Sequence, residues 1–149
     1  MTTDSSTVEG SVPAVDPDAK YQIDIKGFDS AGRSFQYAVY TRMSERGMAQ
    51  LGGSSTELPK SFGTPSEIMK VVGSICSKEP DYLLPGTPIS EAVFRLLIAN
   101  GNRPMTLLDI QSGLATAWAS VIYLKNLSDE VVQRMLDSQN EYFIRRVNK

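Results

Sequence analysis

The segment 87–149 contains three helix starts followed by a strand-like run, and this order restricts the fold more than any other feature of the chain. Its first helix ends at Asn100-Gly101, a pair suited to a left-handed C-cap. Thr106 caps a second helix, a third helix begins at Ser128, and the run 142–147 has the composition of a strand. These elements predict a mainly helical unit that closes with a strand.

Two runs near the N-terminus alternate apolar and polar residues, as half-buried strands do. They are Tyr21–Lys26 and Ser34–Arg42, and Gly32 between them suits a turn that needs a positive φ. The pattern predicts a β-hairpin over residues 19–43. Because two strands are marginally stable alone, we expect the apolar face of the hairpin to rest on the helical part of the chain.

The remaining segments set the predicted domain boundaries. Residues 1–18 carry four acidic and no basic side chains and lack any period, which predicts a disordered acidic tail. Residues 44–63 are rich in glycine and serine and are predicted as a flexible loop. Thr64-Pro65-Ser66-Glu67 is a capping box that opens the helical unit, 64–149. We expect residues 19–149 to form one compact unit.

Composition excludes several kinds of chemistry. The chain has no histidine and one cysteine, so the common zinc sites, a Ser-His-Asp triad, a Cys-His pair and an internal disulfide are all excluded. Cys76 lies among apolar helical residues, which indicates a small buried side chain rather than a reactive thiol. No acid–base motif is visible, and we therefore expect a protein that is not an enzyme and that uses no cofactor or metal.

Charge and hydropathy bear on location and partners. The net charge is −2, but without the four acidic residues of the tail, 15 basic and 13 acidic side chains remain, a balance that permits nucleic-acid binding without requiring it. No apolar run approaches the roughly 20 residues that span a bilayer, and the N-terminus does not resemble a secretory signal. These features predict an intracellular protein, cytoplasmic or nuclear, that does not enter a membrane.

The stretch 92–110 resembles the opening of winged-helix domains. An apolar helix is followed by Gly101 and Pro104, and then by a helix capped at Thr106 that bears the acidic-isoleucine pair Asp109-Ile110. It is most similar to the variant found in the delta subunit of bacterial RNA polymerase and in some chromatin proteins. Together with the predicted N-terminal β-hairpin, the resemblance leads us to expect an α+β fold, in which that hairpin packs with a helical, winged-helix-like C-terminal unit. It also implies a partner that is DNA or a protein component of the transcription machinery.

In that interpretation the helix 128–139 would face nucleic acid, and the last strand would touch phosphates as a wing does. Apolar residues Val132, Met135 and Leu136 would face inward, whereas the outward side also carries acidic residues that suit phosphates badly. The predicted nucleic-acid-binding residues are Gln133, Arg134, Ser138, Arg145, Arg146 and Lys149.

A second interpretation stays open at this point. The chain would be a protein–protein interaction or assembly module, homodimeric in one version, with no role in nucleic-acid binding. Its predicted partner-binding residues are Tyr37, Tyr40, Met48 and Leu51. The two interpretations differ in their response to salt, because phosphate binding weakens steeply with salt and an apolar interface does not.

Overall fold

The computed structural model describes residues 15–118 and 128–147, which form seven α-helices, one 3₁₀-helix and three strands. The strands are β1 (Lys20–Ile23), β2 (Met105–Thr106) and β3 (Ile144–Arg146). The α-helices are α1 (Ile25–Ser30), α2 (Phe35–Tyr40), α3 (Glu45–Gln50), α4 (Pro65–Ser74), α5 (Ile89–Ala99), α6 (Leu107–Ala117) and α7 (Asp129–Asp137), and the 3₁₀-helix is Cys76–Lys78. The predicted mixed α/β class is confirmed.

The three strands form one antiparallel sheet in the order β2-β1-β3, so the first strand of the chain is the central one. Tyr21 lies opposite Met105 on one side of β1, and Ile23 lies opposite Ile144 on the other. Tyr21, Ile23 and Ile144 are fully buried, whereas Lys20 is exposed. One face of the sheet therefore belongs to the core, and the other is open to solvent.

Two asparagine side chains complete the sheet where its strands run out. Ile23 and Ile144 are a non-hydrogen-bonded pair of the antiparallel strands, so the backbone N–H and C=O groups of each residue point away from the other strand. Asn102 accepts from the Ile23 N–H at 2.7 Å and donates to the Ile23 carbonyl at 2.9 Å. Asn140 does the same for Ile144, at 3.0 and 3.1 Å. Each amide thus replaces a neighbouring strand and satisfies two backbone groups.

Helix α5 is the centre of the core. Ala92, Val93, Phe94, Leu97 and Ile98 are fully buried on it, and the helix contacts α4, α6, α7 and β1. The flanking helices start where the sequence predicts, because capping boxes at Thr64 and at Thr106 each satisfy two backbone N–H groups locally. Apolar periodicity then decides which side of each helix is buried.

The predicted hairpin over residues 19–43 is wrong. Only β1 is a strand there, and α1 and α2 occupy the rest. Asp24 and Ser34 accept hydrogen bonds from backbone N–H groups three residues ahead, which starts a helix at each position. Phe35 and Val39, four residues apart, are both buried, whereas Tyr37 is 48% exposed, so the burial follows the period of a helix. Gly32 has a φ of 72° and makes the predicted turn.

The predicted flexible loop over 44–63 is also partly wrong, because it contains α3 and is fastened to the core. Ser44 caps α3, and the Tyr40 hydroxyl donates to the Ser54 carbonyl at 2.9 Å. The Phe62 ring packs 5.3 Å from that of Tyr40. Within the predicted disordered tail, residues 1–14 lie outside the described residues, whereas the Asp16 N–H is bonded to α7.

Candidate nucleic-acid interface

The outward side of α7 is acidic and lacks one of its predicted contact residues. Gln133 is 1% exposed, and its side-chain oxygen accepts from the Asp16 N–H at 2.8 Å, so the prediction that Gln133 contacts nucleic acid is wrong. Asp129, Glu130, Arg134 and Asp137 are exposed. Asp137 is paired with Arg146, but Asp129 and Glu130 against the single guanidinium of Arg134 would still repel phosphates. Ser138 ends the helix and donates from its hydroxyl to the Met135 carbonyl.

Arg146 lies at the sheet edge, where it joins α7 to the N-terminal segment instead of facing solvent freely. Its guanidinium is 2.7 Å from Asp137 and 3.2 Å from Asp16, and it also donates to the Tyr21 hydroxyl. The hydrogen bond to Asp137 raises the pKa of Arg146 above its ordinary value. Burial, followed by Asp137, raises the pKa of Tyr21 to about 12. Arg146 is therefore a structural bridge whose charge is already balanced.

Arg145 is placed differently, because alternate residues of a strand face opposite sides. It pairs in register with Gln22, and both belong to the solvent side of the sheet together with Lys20. We call this surface the outer face, defined by Lys20, Gln22, Lys26 and Arg145. Lys26 follows β1 in the first turn of α1 and lines, with Gln22 and Arg145, a groove of about 700 Å³. Lys149 lies outside the described residues.

The outer face is mildly basic. Lys20 and Lys26 are exposed, and no ion pair to them or to Arg145 is found among the residues that the structure describes. Asp24 lines the same groove, where its carboxylate also accepts from the Gly27 N–H and caps α1. Lys20 lines a different groove, which it shares with Asp16 and Asp18. In the groove that Lys26 and Arg145 line, these two cations and the capping carboxylate of Asp24 leave a small positive excess that suits an anionic backbone.

The predicted partner-binding residues are not brought together on one surface. Tyr40 and Met48 are buried in the core, so these two predictions are wrong, and Leu51 is half-buried. Tyr37 is exposed and packs 6.3 Å from the Phe62 ring. Leu58 lies in the segment 51–63, which also contains Leu51 and Phe62. It is 58% exposed, and it was not among the predicted partner-binding residues.

A largely buried charge cluster joins the turn after α2 to α5. Glu91 accepts from Arg42 at 2.6 and 2.9 Å and from Arg95 at 2.9 Å. The Arg42 guanidinium also lies 4.8 Å from the centre of the Phe94 ring. Burial alone would raise the pKa of Glu91, but the hydrogen bonds from Arg42 and Arg95 outweigh it and lower that pKa to about 2. Because these charges satisfy one another, the cluster is suited to holding elements together.

The described residues offer little to other chemistries. In residues 15–118 and 128–147, no group of three or more Cys, Asp or Glu side chains is placed to hold a metal ion. None of the helices in those ranges is long and apolar enough to cross a bilayer. No protein-family model, curated protein or solved structure gives a significant match to the chain.

Proposed function

We propose that this chain is a non-enzymatic, winged-helix-like module that associates with nucleic acid or the transcription machinery, and that it contacts nucleic acid through its outer face. The observation that carries the proposal is the separation of charge. Lys26 and Arg145 line one groove on the open side of the sheet, and Lys20 lies on the same side next to Asp16 and Asp18. The outward side of α7 instead carries Asp129 and Glu130. An anionic backbone would meet the first surface favourably and the second unfavourably.

The order of elements supports the winged-helix-like build. Helices α5, α6 and α7 are followed by β3, and β2 precedes α6. A wing requires a second strand antiparallel to the first. Here β1, from the other end of the chain, is antiparallel to β3 through Tyr21, Gln22 and Ile23. In this proposal β1 supplies the second strand of the wing, and the outer face is the solvent side of that wing.

The test compares two variants that change net charge equally. In the first, Lys20→Gln, Lys26→Gln and Arg145→Gln remove the cations of the outer face. In the matched control, Lys60→Gln, Lys70→Gln and Lys78→Gln remove three exposed lysines from the 51–63 segment, α4 and the 3₁₀-helix. Arg146 is left unchanged because its loss would release Asp137 and Asp16 from their ion pairs.

Binding of the full chain to labelled mixed-sequence nucleic acid, single-stranded and duplex, is measured by fluorescence anisotropy. Three phosphate contacts predict a loss of affinity of about 20- to 40-fold between about 50 and 200 mM salt. The outer-face variant should lose most of the binding and most of the salt dependence, and the control variant should keep both. Equal losses in the two variants, or no binding by the unmodified chain at low salt, would refute the proposal.

One observation favours an interaction module as the second candidate. Tyr37 and Leu58 are 48% and 58% exposed, although both are large and apolar, and Tyr37 packs with Phe62 beside the 51–63 segment. A partner or a second copy would cover such residues at little cost. In that case Tyr37→Ser with Leu58→Ser would abolish an association that salt does not weaken. The mass of the chain in solution would report a homodimer directly.

A further inference from the structure

The guanidinium of Arg145 rests on an aromatic ring at one end of the outer face. Its central carbon lies 5.4 Å from the centre of the Phe143 ring. That ring packs 4.8 Å from Phe28, a fully buried residue of α1. Arg33 approaches the same ring at 5.7 Å and is held by a bond from its Nη1 to the Glu141 carbonyl. Phe143 is therefore fixed in place, and its ring lies within cation–π distance of the Arg145 guanidinium.

The backbone is shaped to bring Phe143 to this place. Its φ is 56°, a left-handed value that is uncommon for bulky residues and costs about 1–3 kcal/mol when it persists. Gly27 leaves the space that the ring enters, because a Cβ there would lie 2.6 Å from Phe143 Cδ1. Strain of this kind persists only where the surrounding structure determines it. Its result here is an aromatic ring placed next to the guanidinium of Arg145, which lines an open groove.

The shape of the outer face favours a single strand over a duplex. Three strands about 4.8 Å apart make a surface only about 10–14 Å wide. Duplex reading needs an element that enters a groove, and α7 is acidic where it would have to meet the phosphates. A single strand needs cations along its backbone and a planar group on which a base stacks, and Arg guanidinium planes serve that purpose as aromatic rings do.

We propose that the outer face binds single-stranded nucleic acid, with one base stacked on the Arg145 guanidinium and the backbone phosphates beside Lys20 and Lys26. Phe143 is a positioning residue that holds Arg145 flat. Gln22 lies opposite Arg145 in the sheet, and its amide donates to the Asn102 carbonyl. This inference rests on the proposed function and specifies the form of nucleic acid that the site takes.

The test uses the full chain and three labelled probes of about 12 units each, within the range of site sizes of single-strand-binding surfaces. They are an oligothymidylate, an abasic strand of the same length with the same charge, and a duplex. A stacked base contributes a factor of about five or more in affinity. We therefore expect the oligothymidylate to bind at least about fivefold more tightly than either the abasic strand or the duplex.

Three variants identify the residues. Arg145→Lys keeps the charge but loses the plane, so it should abolish the preference for oligothymidylate over the abasic strand and retain most of the affinity for the latter. Phe143→Leu should do the same by releasing Arg145, and its thermal unfolding is measured beside it. Because Arg145→Lys leaves the core untouched, it carries the test if Phe143→Leu fails to fold. Lys70→Gln, at an exposed residue of α4, is the control and should bind all three probes as the unmodified chain does.

The failures are distinguishable. If no probe binds at low salt, the proposed function itself is refuted. If the duplex binds as tightly as the single strand, nucleic-acid association stands and the single-strand inference is overturned. If the oligothymidylate and the abasic strand bind equally, or if Arg145→Lys keeps the preference between them, the stacking role of Arg145 is overturned.

Discussion

Glu91→Gln should destabilise the protein more than any other single change in charge at the surface of α5. The substitution keeps the shape of the side chain but leaves the guanidiniums of Arg42 and Arg95 without their carboxylate. All three side chains are at least three-quarters buried, with exposures of 15%, 20% and 24%. Removing one partner of a buried ion pair costs about 3–5 kcal/mol, and the remaining contact with solvent reduces this to about 2–4 kcal/mol.

The lowered pKa of Glu91, which has its cause in the same contacts, corresponds to a similar magnitude. Its fall from 4.5 to about 2 corresponds to about 3 kcal/mol of stability at neutral pH. Since the pKa is lower in the folded than in the unfolded chain, this stability is complete above pH 4.5 and is lost as the pH falls towards 2. The free energy of unfolding should therefore decrease across that window in the unmodified chain, and by less in Glu91→Gln.

The assay is urea unfolding followed by circular dichroism between about pH 7 and pH 2, where the midpoint and slope give the free energy of unfolding. At neutral pH, Glu91→Gln should also lower Tm by roughly 5–15 °C. Glu57→Gln, at an exposed residue of the 51–63 segment, is the matched control and should behave like the unmodified chain. A change in free energy below about 0.5 kcal/mol for Glu91→Gln, or an unchanged acid dependence, would refute the reasoning.

Three further results are expected from unfolding and labelling experiments. Gly113→Ala should be neutral or stabilise α6 by up to about 1 kcal/mol, since the new Cβ meets only a flexible leucine side chain at 3.0 Å. Gly73→Ala should lower the free energy of unfolding, because its Cβ would lie 2.8 Å from a backbone carbonyl oxygen of α5. Equal changes in the free energy of unfolding for the two variants would contradict this. Asn102→Asp should cost about 1–3 kcal/mol in urea unfolding because a carboxylate cannot donate to the Ile23 carbonyl, and a variant as stable as the parent would show that the edge bond is unimportant. Cys76, 1% exposed, should react with a thiol reagent only as fast as the chain opens, so a rate unaffected by urea would be inconsistent with its burial.

The N-terminal helices explain why part of the fold was mispredicted. Helices α1 and α2 have six residues each, less than two turns. Over so short a run, the alternation of Phe35, Tyr37 and Val39 has the period of a strand, although Phe35 and Val39 alone are also spaced as on one face of a helix. The caps Asp24 and Ser34 are the local signal for a helix. Helix α6 continues through Gly113 to Ala117, and this glycine lies inside the packed helix against Leu96.

The candidate site was predicted in part. Arg145 was identified from the sequence, and it does lie on an open face, but its neighbours Lys20 and Lys26 were not identified, because they join it only through the pairing of β1 with β3. Gln133 is polar and was therefore predicted on the surface of α7. It is buried instead, and its side-chain oxygen accepts from the N–H of Asp16, 117 residues away. No pattern along the chain contains that contact.

What the sequence by itself determined is the set of local events. Interactions within three or four residues set the capping boxes at Thr64 and Thr106 and the turn at Gly32, and a linear pattern contains them. The apolar period that selects the buried side of α5 is also visible in the sequence. The tertiary structure alone decided that β1 is the central strand and that Arg42 meets Glu91, 49 residues away. Both contacts depend on how segments that are distant in sequence pack into one core. A contact between distant residues produces no periodic pattern in the sequence from which it could be predicted.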